Sequence, residues 1–245
     1  MSRLEKQMAA VGRAALFGAL ILIAAPALGQ AQSNSSFKPQ ANPVGKPSAV
    51  KPKPTTNGQA AGRPAALDEN QRSLIDRVSL YLSTIQTLVG DFVQVGPDGS
   101  KSEGQFYILK PGRVKFEYNP PNPIDITADG RQVSVRNRNL DTQDLFPLSQ
   151  TPLRFLLSDR IDLRRETNVV GVYSDELFAT IVIEEKQPLI GTSRLMMMFD
   201  AKNLQLKQWT VTDAQGFDTT VAVSNLDPAT KPDPAIFTIN TSKRN

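Results

Sequence analysis

The chain of 245 residues contains neither cysteine nor histidine. Without cysteine it can form no disulfide, no thiolate zinc site, no cysteine nucleophile and no thioether link to a lipid. Without histidine it lacks the commonest general base and the commonest metal ligand, and a serine–histidine triad is excluded. These absences remove most hydrolase and metalloenzyme interpretations. We expect no metal and no cofactor.

The carboxylates offer no substitute for the missing histidine. Glu184 and Glu185 are neighbours in the sequence, as are Asp175 and Glu176. Neighbouring residues of a strand point to opposite faces of a sheet, which is the wrong arrangement for an acid and base pair. We therefore expect that the protein is not an enzyme.

The positive charge is confined to the amino-terminal quarter. The whole chain has a formal net charge of +4. Residues 1–66 hold eight of the 28 basic residues and one of the 24 acidic ones, so residues 67–245 have a net charge of −3. A basic domain surface is the electrostatic signature of nucleic-acid binding. The domain lacks it, and we expect no nucleic-acid partner.

Residues 1–31 have the layout of a secretory signal peptide. A short basic start precedes an uncharged apolar run at 14–28, and small residues follow at several cleavage positions between Ala27 and Gln32. The alternative is an uncleaved anchor, but this run is interrupted by Pro26 and is shorter than the roughly 20 residues that span a bilayer. We expect export to the bacterial periplasm as a soluble protein.

Residues 32–66 predict a disordered tether. They contain six prolines and five basic residues, no acidic residue and few large hydrophobic ones. Such a segment cannot bury enough apolar surface to offset the entropy of ordering. Two roles stay open for it: a simple spacer, or an electrostatic contact with anionic lipid head groups or the cell-wall polymer.

The pattern from residue 67 onward predicts one helix followed by many strands. Asp68 can cap a helix whose apolar residues recur every three or four positions from Leu74 to Leu88. After Gly90 the period changes to two, which predicts strands joined by short turns. Strands are predicted at 91–95, 105–109, 113–118, 124–128, 132–136, 161–166, 168–174, 177–185, 193–200, 204–212 and 216–224.

A short apolar helix interrupts the strands after Pro152, which is placed for a first helical turn. Residues 67–245 therefore predict an α+β domain built on one large, strongly curved antiparallel sheet of about 10–11 strands. Only the two helices can cover its concave face. Composition leaves open whether the interior is a packed core or a hollow apolar cavity.

Several ordered motifs between Leu88 and Arg160 resemble one known family. They read DFVQ at 91–94, GQFYILKPGRVKFEY at 104–118, ADG at 128–130, and FPLSQTPL at 146–153 followed by two leucines. Together they resemble the periplasmic outer-membrane lipoprotein carrier family, LolA. The helix before them and the strands after them are similar to the layout of that family.

The resemblance implies an incomplete β-barrel with a helical lid over an apolar cavity. In that family the cavity shields lipoprotein acyl chains between two membranes, and no bond is made or broken. The implied partners are triacylated lipoproteins, an inner-membrane ABC-type releasing complex, and an outer-membrane acceptor or the membrane itself. We expect a monomeric carrier, and the sequence leaves open whether it also serves as the acceptor.

The candidate lipid-binding residues are the apolar ones assigned to the concave face and the lid. They are Phe106, Ile108, Val114, Phe116, Tyr118, Ile126, Val133, Val135, Leu153, Leu156, Leu157, Met197, Phe199, Leu206, Trp209 and Phe217. Tyr107 and Leu109 are an equally apolar alternative face. Leu206 and Trp209 differ in parity, so a bulge must lie between them or one face is misassigned.

Lys110 occupies the position where the family commonly has an arginine that bonds the lid. Lysine has donors but lacks the planar fork of arginine. We expect Lys110 to help close the lid; a solvated lysine at a strand end is the alternative.

The competing function is a periplasmic lipid- or lipoprotein-sensing module of the same fold, like the amino-terminal domain of RseB.

Overall fold

The computed structural model describes residues 67–187 and 191–240. The predicted signal peptide and tether lie outside the described residues. The helices are α1 (Glu69–Thr84), α2 (Leu153–Leu157) and α3 (Leu163–Glu166), and two 3-10 turns span Leu148–Gln150 and Pro234–Phe237. Within these residues, no helix combines the length and the apolar character needed to cross a bilayer.

Eleven strands follow α1. They are β1 Thr87–Val95, β2 Lys101–Leu109, β3 Arg113–Tyr118, β4 Ile124–Asp129, β5 Gln132–Asn137, β6 Thr142–Pro147, β7 Asn168–Ser174, β8 Phe178–Gln187, β9 Gly191–Asp200, β10 Leu206–Thr212 and β11 Asp218–Asp227.

The strands form one antiparallel sheet that does not close into a barrel. Their order is β6-β5-β4-β3-β2-β1-β11-β10-β9-β8-β7. Two meanders, β1 to β6 and β7 to β11, are thus joined side by side through β1 and β11. The free edges are β6 and β7, and residues 148–167 connect them. The predicted fold class, a large incomplete antiparallel sheet with helical covers, is confirmed.

Helix α1 begins at a reciprocal cap. The Asp68 carboxylate accepts the Gln71 backbone N–H at 2.8 Å, and the Gln71 side chain accepts the Asp68 N–H at 3.0 Å. This capping box satisfies two amide donors at the start of the helix. One face of the helix buries its apolar residues Leu74, Ile75, Val78 and Leu82 against the sheet. Burial of that face, more than helix propensity, fixes the helix in place.

The strands alternate between buried and more exposed residues, which defines an inner face. β2 buries Phe106 and Ile108, so the choice of this pair over Tyr107 and Leu109 is correct. The register between β9 and β10 shifts between Leu206 and Gln208, which is the bulge that the parity of Leu206 and Trp209 required.

Three segments differ from the predicted elements. Leu88, assigned to the first helix, lies in β1, because α1 ends at Thr84. Residues 161–166 form α3 in place of a strand, because the Asp162 carboxylate accepts the N–H groups of Arg164 and Arg165 and caps a helical turn. Conversely, Thr142–Pro147 forms the edge strand β6. Its mostly exposed residues give no alternating apolar signal.

Candidate functional site

The inner face of the sheet is mostly apolar. Aromatic rings lie at its centre: Phe92 contacts Phe116 with ring centroids 5.3 Å apart and Tyr118 at 5.0 Å, both edge to face. Phe116 also lies 6.3 Å from Trp209. Such pairs add about 0.5–1.5 kcal/mol each beyond the area that they bury. The centre of the interior is therefore a rigid aromatic surface.

Side chains of the described residues pack around a small cavity in the interior. Its volume is about 10 Å³, and it is lined by Gln94, Phe116, Tyr118, Ile126, Leu153, Trp209 and Val221. That volume is about one water molecule, whereas pockets that hold organic ligands enclose roughly 300–1,000 Å³. Leu153 belongs to α2, so the helix itself takes the space beside the aromatic surface.

We call residues 148–157 the lid. Its large apolar residues Leu148, Leu153, Phe155, Leu156 and Leu157 are all buried. The lid follows β6 directly in the chain and covers the inner face from that edge. Displacing it would uncover the apolar surface on which it packs.

Few hydrogen bonds hold the lid. Nη1 of Arg154 lies 2.6 Å from both carboxylate oxygens of Glu185 on β8. The Gln187 side chain donates to the Gln150 carbonyl at 3.2 Å. At the far end, the backbone N–H of Gly112 donates to the Leu157 carbonyl at 2.9 Å. The lid is therefore attached at its ends and at one ion pair.

Helix α1 is attached in a different way, through side-chain hydroxyl groups that accept backbone N–H groups. The Ser79 hydroxyl accepts the Leu163 N–H at 3.2 Å, and the Ser83 hydroxyl accepts the Ile161 N–H at 3.1 Å. The Tyr81 hydroxyl accepts the Leu206 N–H of β10 at 3.1 Å. These side chains satisfy backbone groups of other elements, so α1 completes the hydrogen bonding of the core.

The turn that contains Lys110 contacts both covers, but Lys110 itself bonds α1. Its ammonium donates to the Leu82 carbonyl near the end of α1 at 2.5 Å, while the lid is bonded by the backbone of Gly112 in the same turn. Lys110 is only 6% exposed. Burial lowers its pKa to about 8, and the nearby Asp159 carboxylate opposes that shift. Whether Lys110 controls closure stays a prediction.

All the candidate lipid-binding residues except Phe217 are buried and belong to one interior. Phe217 is 56% exposed. Its N–H donates to the Asp213 carboxylate, so Phe217 belongs to the turn before β11 and not to the strand. The assignment of Phe217 to the concave face was therefore wrong. Burial does not test lipid contact, which stays a prediction for the others.

Sequence reasoning missed several residues of the interior. Phe92 and Gln94 lie in the quoted DFVQ motif, and their spacing of two on a strand could have placed both on the inner face. The ion pair between Arg154 and Glu185 joins residues 31 positions apart, which no local pattern indicates. In the described ranges 67–187 and 191–240, no three acidic side chains converge to hold a metal ion.

Comparison with known proteins gives one family match. The sequence profile of the family described as outer membrane lipoprotein carrier protein LolA matches residues 83–240, more than half of the chain. An outer-membrane lipoprotein carrier protein of Chromohalobacter salexigens is 24% identical over 161 residues, covering 62% of this chain and 75% of the relative.

A second relative and two solved structures are more distant. An uncharacterised protein of Rickettsia prowazekii is 29% identical over 86 residues, 35% of this chain, and the match spans only 40% of that relative's length. A LolA superfamily protein of Nitrosomonas europaea aligns over 69% of this chain and 97% of its own at 12% identity, with a TM-score of 0.40. The structure of the Pseudomonas aeruginosa MucA/MucB complex aligns over 70% of this chain and 61% of its own at 12% identity, with a TM-score of 0.39.

Proposed function

The chain belongs to the LolA family, and from this premise we propose that it is a periplasmic carrier that moves lipoproteins from the inner to the outer membrane. It would take triacylated lipoproteins from an inner-membrane ABC-type complex and deliver them to an outer-membrane acceptor or to the membrane itself. The observation that carries this proposal is the apolar inner face covered by a weakly attached lid.

The lid occupies the space that the cargo would take. Leu153, Leu156 and Leu157 already bury their side chains in the interior. An acyl chain that replaces them gains about 0.8 kcal/mol per buried methylene group but must first offset the loss of these contacts. The lid thus lowers the net affinity, and a carrier needs such a reduction in order to release its cargo.

Site-specific photo-crosslinking tests the location of the cargo. Met196, Met197 and Met198 are consecutive on β9, and Met197 alone is fully buried on the inner face. A photoreactive residue at Met197 should crosslink to the acyl chains of a triacylated lipoprotein, whereas the same residue at Met196 or Met198 should not. Equal crosslinking at all three positions would argue against an interior site.

Mass spectrometry of the protein purified from its own periplasm tests the carrier role. Co-purified triacylated lipoprotein supports it. A stoichiometric membrane regulator without lipoprotein would instead support the sensor function and overturn the carrier. The intact mass also tests our proposal that residues 1–31 are removed, since the mature chain should begin between Ala27 and Gln32.

A further inference from the structure

Two polar atoms interrupt the apolar inner face, and both lie on the ladder of β10 and β11. Among residues 67–187 and 191–240, Trp209 Nε1 and Thr219 Oγ1 are the buried side-chain polar atoms without a hydrogen-bond partner. Trp209 is 3% exposed and Thr219 is 1% exposed. Buried polar groups in folded proteins are nearly always paired, so each exception needs an explanation.

The two side chains are neighbours on the sheet. Trp209 is opposite Val221, and Thr219 is opposite Val211, in the register of β10 and β11. Trp209 and Thr219 are therefore diagonal neighbours on the inner face, a position at which the Cα atoms of two residues are about 7–8 Å apart. The two donors belong to one small region, which a single ligand can reach.

This region lies near one rim of the sheet. Trp209 lines the small cavity together with Gln94 and Tyr118, whose side chains bond each other at 2.8 Å. Gln94 is the penultimate residue of β1 and Tyr118 is the last residue of β3. A ligand held by its polar end at this rim can extend its hydrocarbon along the aromatic surface.

The chemistry of the two atoms selects the kind of partner. An indole N–H can only donate a hydrogen bond, and a threonine hydroxyl can donate one. A hydrocarbon chain offers no acceptor, so neither group serves the acyl chain itself. The nearest acceptor on an acylated cargo is the carbonyl oxygen that links each chain to its head, in an ester or an amide.

We propose that the Trp209 indole N–H and the Thr219 hydroxyl bind the carbonyl oxygens of the acyl linkages of the cargo. The inference rests on the proposed carrier function and names the polar part of the substrate that the interior recognises. The free protein leaves both donors unpaired, and the cargo pairs them. The site thereby distinguishes an acyl-linked lipid from a plain hydrocarbon or an ether lipid.

Lipid binding by the full mature chain tests this directly. Dipalmitoylglycerol and its ether analogue dihexadecylglycerol, both delivered from cyclodextrin, differ in the linkage carbonyls while their hydrocarbon chains are matched in length. We expect the diester to bind about five-fold more tightly for one net hydrogen bond. Thr219→Val should reduce this preference, as should Trp209→Phe.

Thr210→Val is the matched control for Thr219→Val. The Thr210 hydroxyl bonds Thr220 at 2.9 Å on the opposite face of the same ladder. This variant should keep the preference of the wild type for the diester. Thr219→Val removes an unpaired hydroxyl at constant shape, so it should unfold at no lower temperature than the wild type, which separates lost recognition from lost folding.

Nuclear magnetic resonance of the unmodified protein gives a second readout. Trp209 is the single tryptophan, so the spectrum has one indole N–H signal. It should move downfield when the diester binds and move less when the diether binds. Equal shifts, or no shift with bound diester because a trapped water already pairs the N–H, would overturn the inference. Failure of both lipids to bind would instead overturn the carrier function.

Discussion

The two covers of the inner face, α1 and the lid, are attached to the sheet by different means. Side chains of α1 accept backbone N–H groups from the segment after the lid and from β10. The lid is attached by the Arg154–Glu185 pair, one amide contact, and backbone bonds near its two ends. A buried N–H that loses its acceptor costs about 1–3 kcal/mol, whereas an ion pair between partly exposed side chains contributes about 1 kcal/mol or less. We infer that α1 is part of the permanent core and that the lid opens separately.

The largest effect is expected from a comparison of two leucines that are about equally buried. Leu82 on α1 is 3% exposed and Leu153 on the lid is 4% exposed. Leu82→Ala should lower the free energy of unfolding by about 2–5 kcal/mol, as expected for a cavity in a core. Leu153→Ala should lower the free energy of unfolding by less than about 2 kcal/mol, because the lid can open locally and so remove the cavity. Equal losses in urea denaturation would contradict the distinction.

A hydroxyl on α1 provides the second test. Ser79→Ala leaves the buried Leu163 N–H without its acceptor, so we expect a loss of about 1–3 kcal/mol in the free energy of unfolding. Thr84→Ala is the control on the same helix, since the exposed Thr84 hydroxyl bonds only carbonyls of its own helix. It should change stability by less than about 0.5 kcal/mol.

The turn that touches both covers should give the protein a pH dependence. The pKa of Lys110 is lowered to about 8 in the folded protein, below the ordinary value for lysine. Between pH 8 and about 10 the unfolded chain therefore binds more protons at this residue, and stability rises with pH by at most about 1.4 kcal/mol per unit. Below pH 8 the buried charge costs stability in full.

Lys110→Met should flatten that rise. The measurement is the free energy of unfolding in urea from pH 7 to about 10, where the wild type should gain stability relative to the variant. The comparison stops at about pH 10 because Tyr118 then begins to contribute. Burial raises the pKa of Tyr118 in the folded protein, so above that pH the unfolded chain loses the Tyr118 proton first and stability falls. If the free energy of unfolding changed with pH in the same way for both proteins, Lys110 would not be the source of the pH dependence.

The smallest expected effect concerns the lid alone. Glu185→Gln should weaken the ion pair with the partly exposed Arg154 by about 1 kcal/mol, which raises the open fraction of the lid roughly five-fold. Glu184→Gln, one residue away and paired with Arg194 on β9, is the matched control. Because the chain has no cysteine, a single Leu156→Cys reports opening through its rate of maleimide labelling.

Only the Glu185 change should raise the labelling rate. If Glu184→Gln raised it equally, the effect would come from general destabilisation and not from the lid. If neither changed it, the lid would open by a route that does not break the pair with Arg154.

Much of the fold could be predicted from sequence because strand periodicity and turn residues are local signals. The inner face of β3 follows directly from the alternation of Val114, Phe116 and Tyr118 with charged residues. The end of β2 was ambiguous because residues 106–109 are apolar on both faces, and only pairing with β1 and β3 decides that Phe106 points inward.

The errors have local physical causes. Phe217 lies near the start of the strand predicted at 216–224, yet the Asp213 carboxylate accepts its N–H in a turn and the ring stays exposed. The strand predicted at 161–166 is a helical turn because Asp162 caps it. The attachments that distinguish α1 from the lid join distant parts of the chain, so no window of sequence contains them.

Residues 148–167 are the covalent link between the two free edges of the sheet. These twenty residues would reach roughly 66–72 Å if fully extended. The link therefore has slack, and β6 and β7 can separate without pulling it taut. The stiffness of the sheet, rather than the length of this link, then sets how far its two free edges can separate.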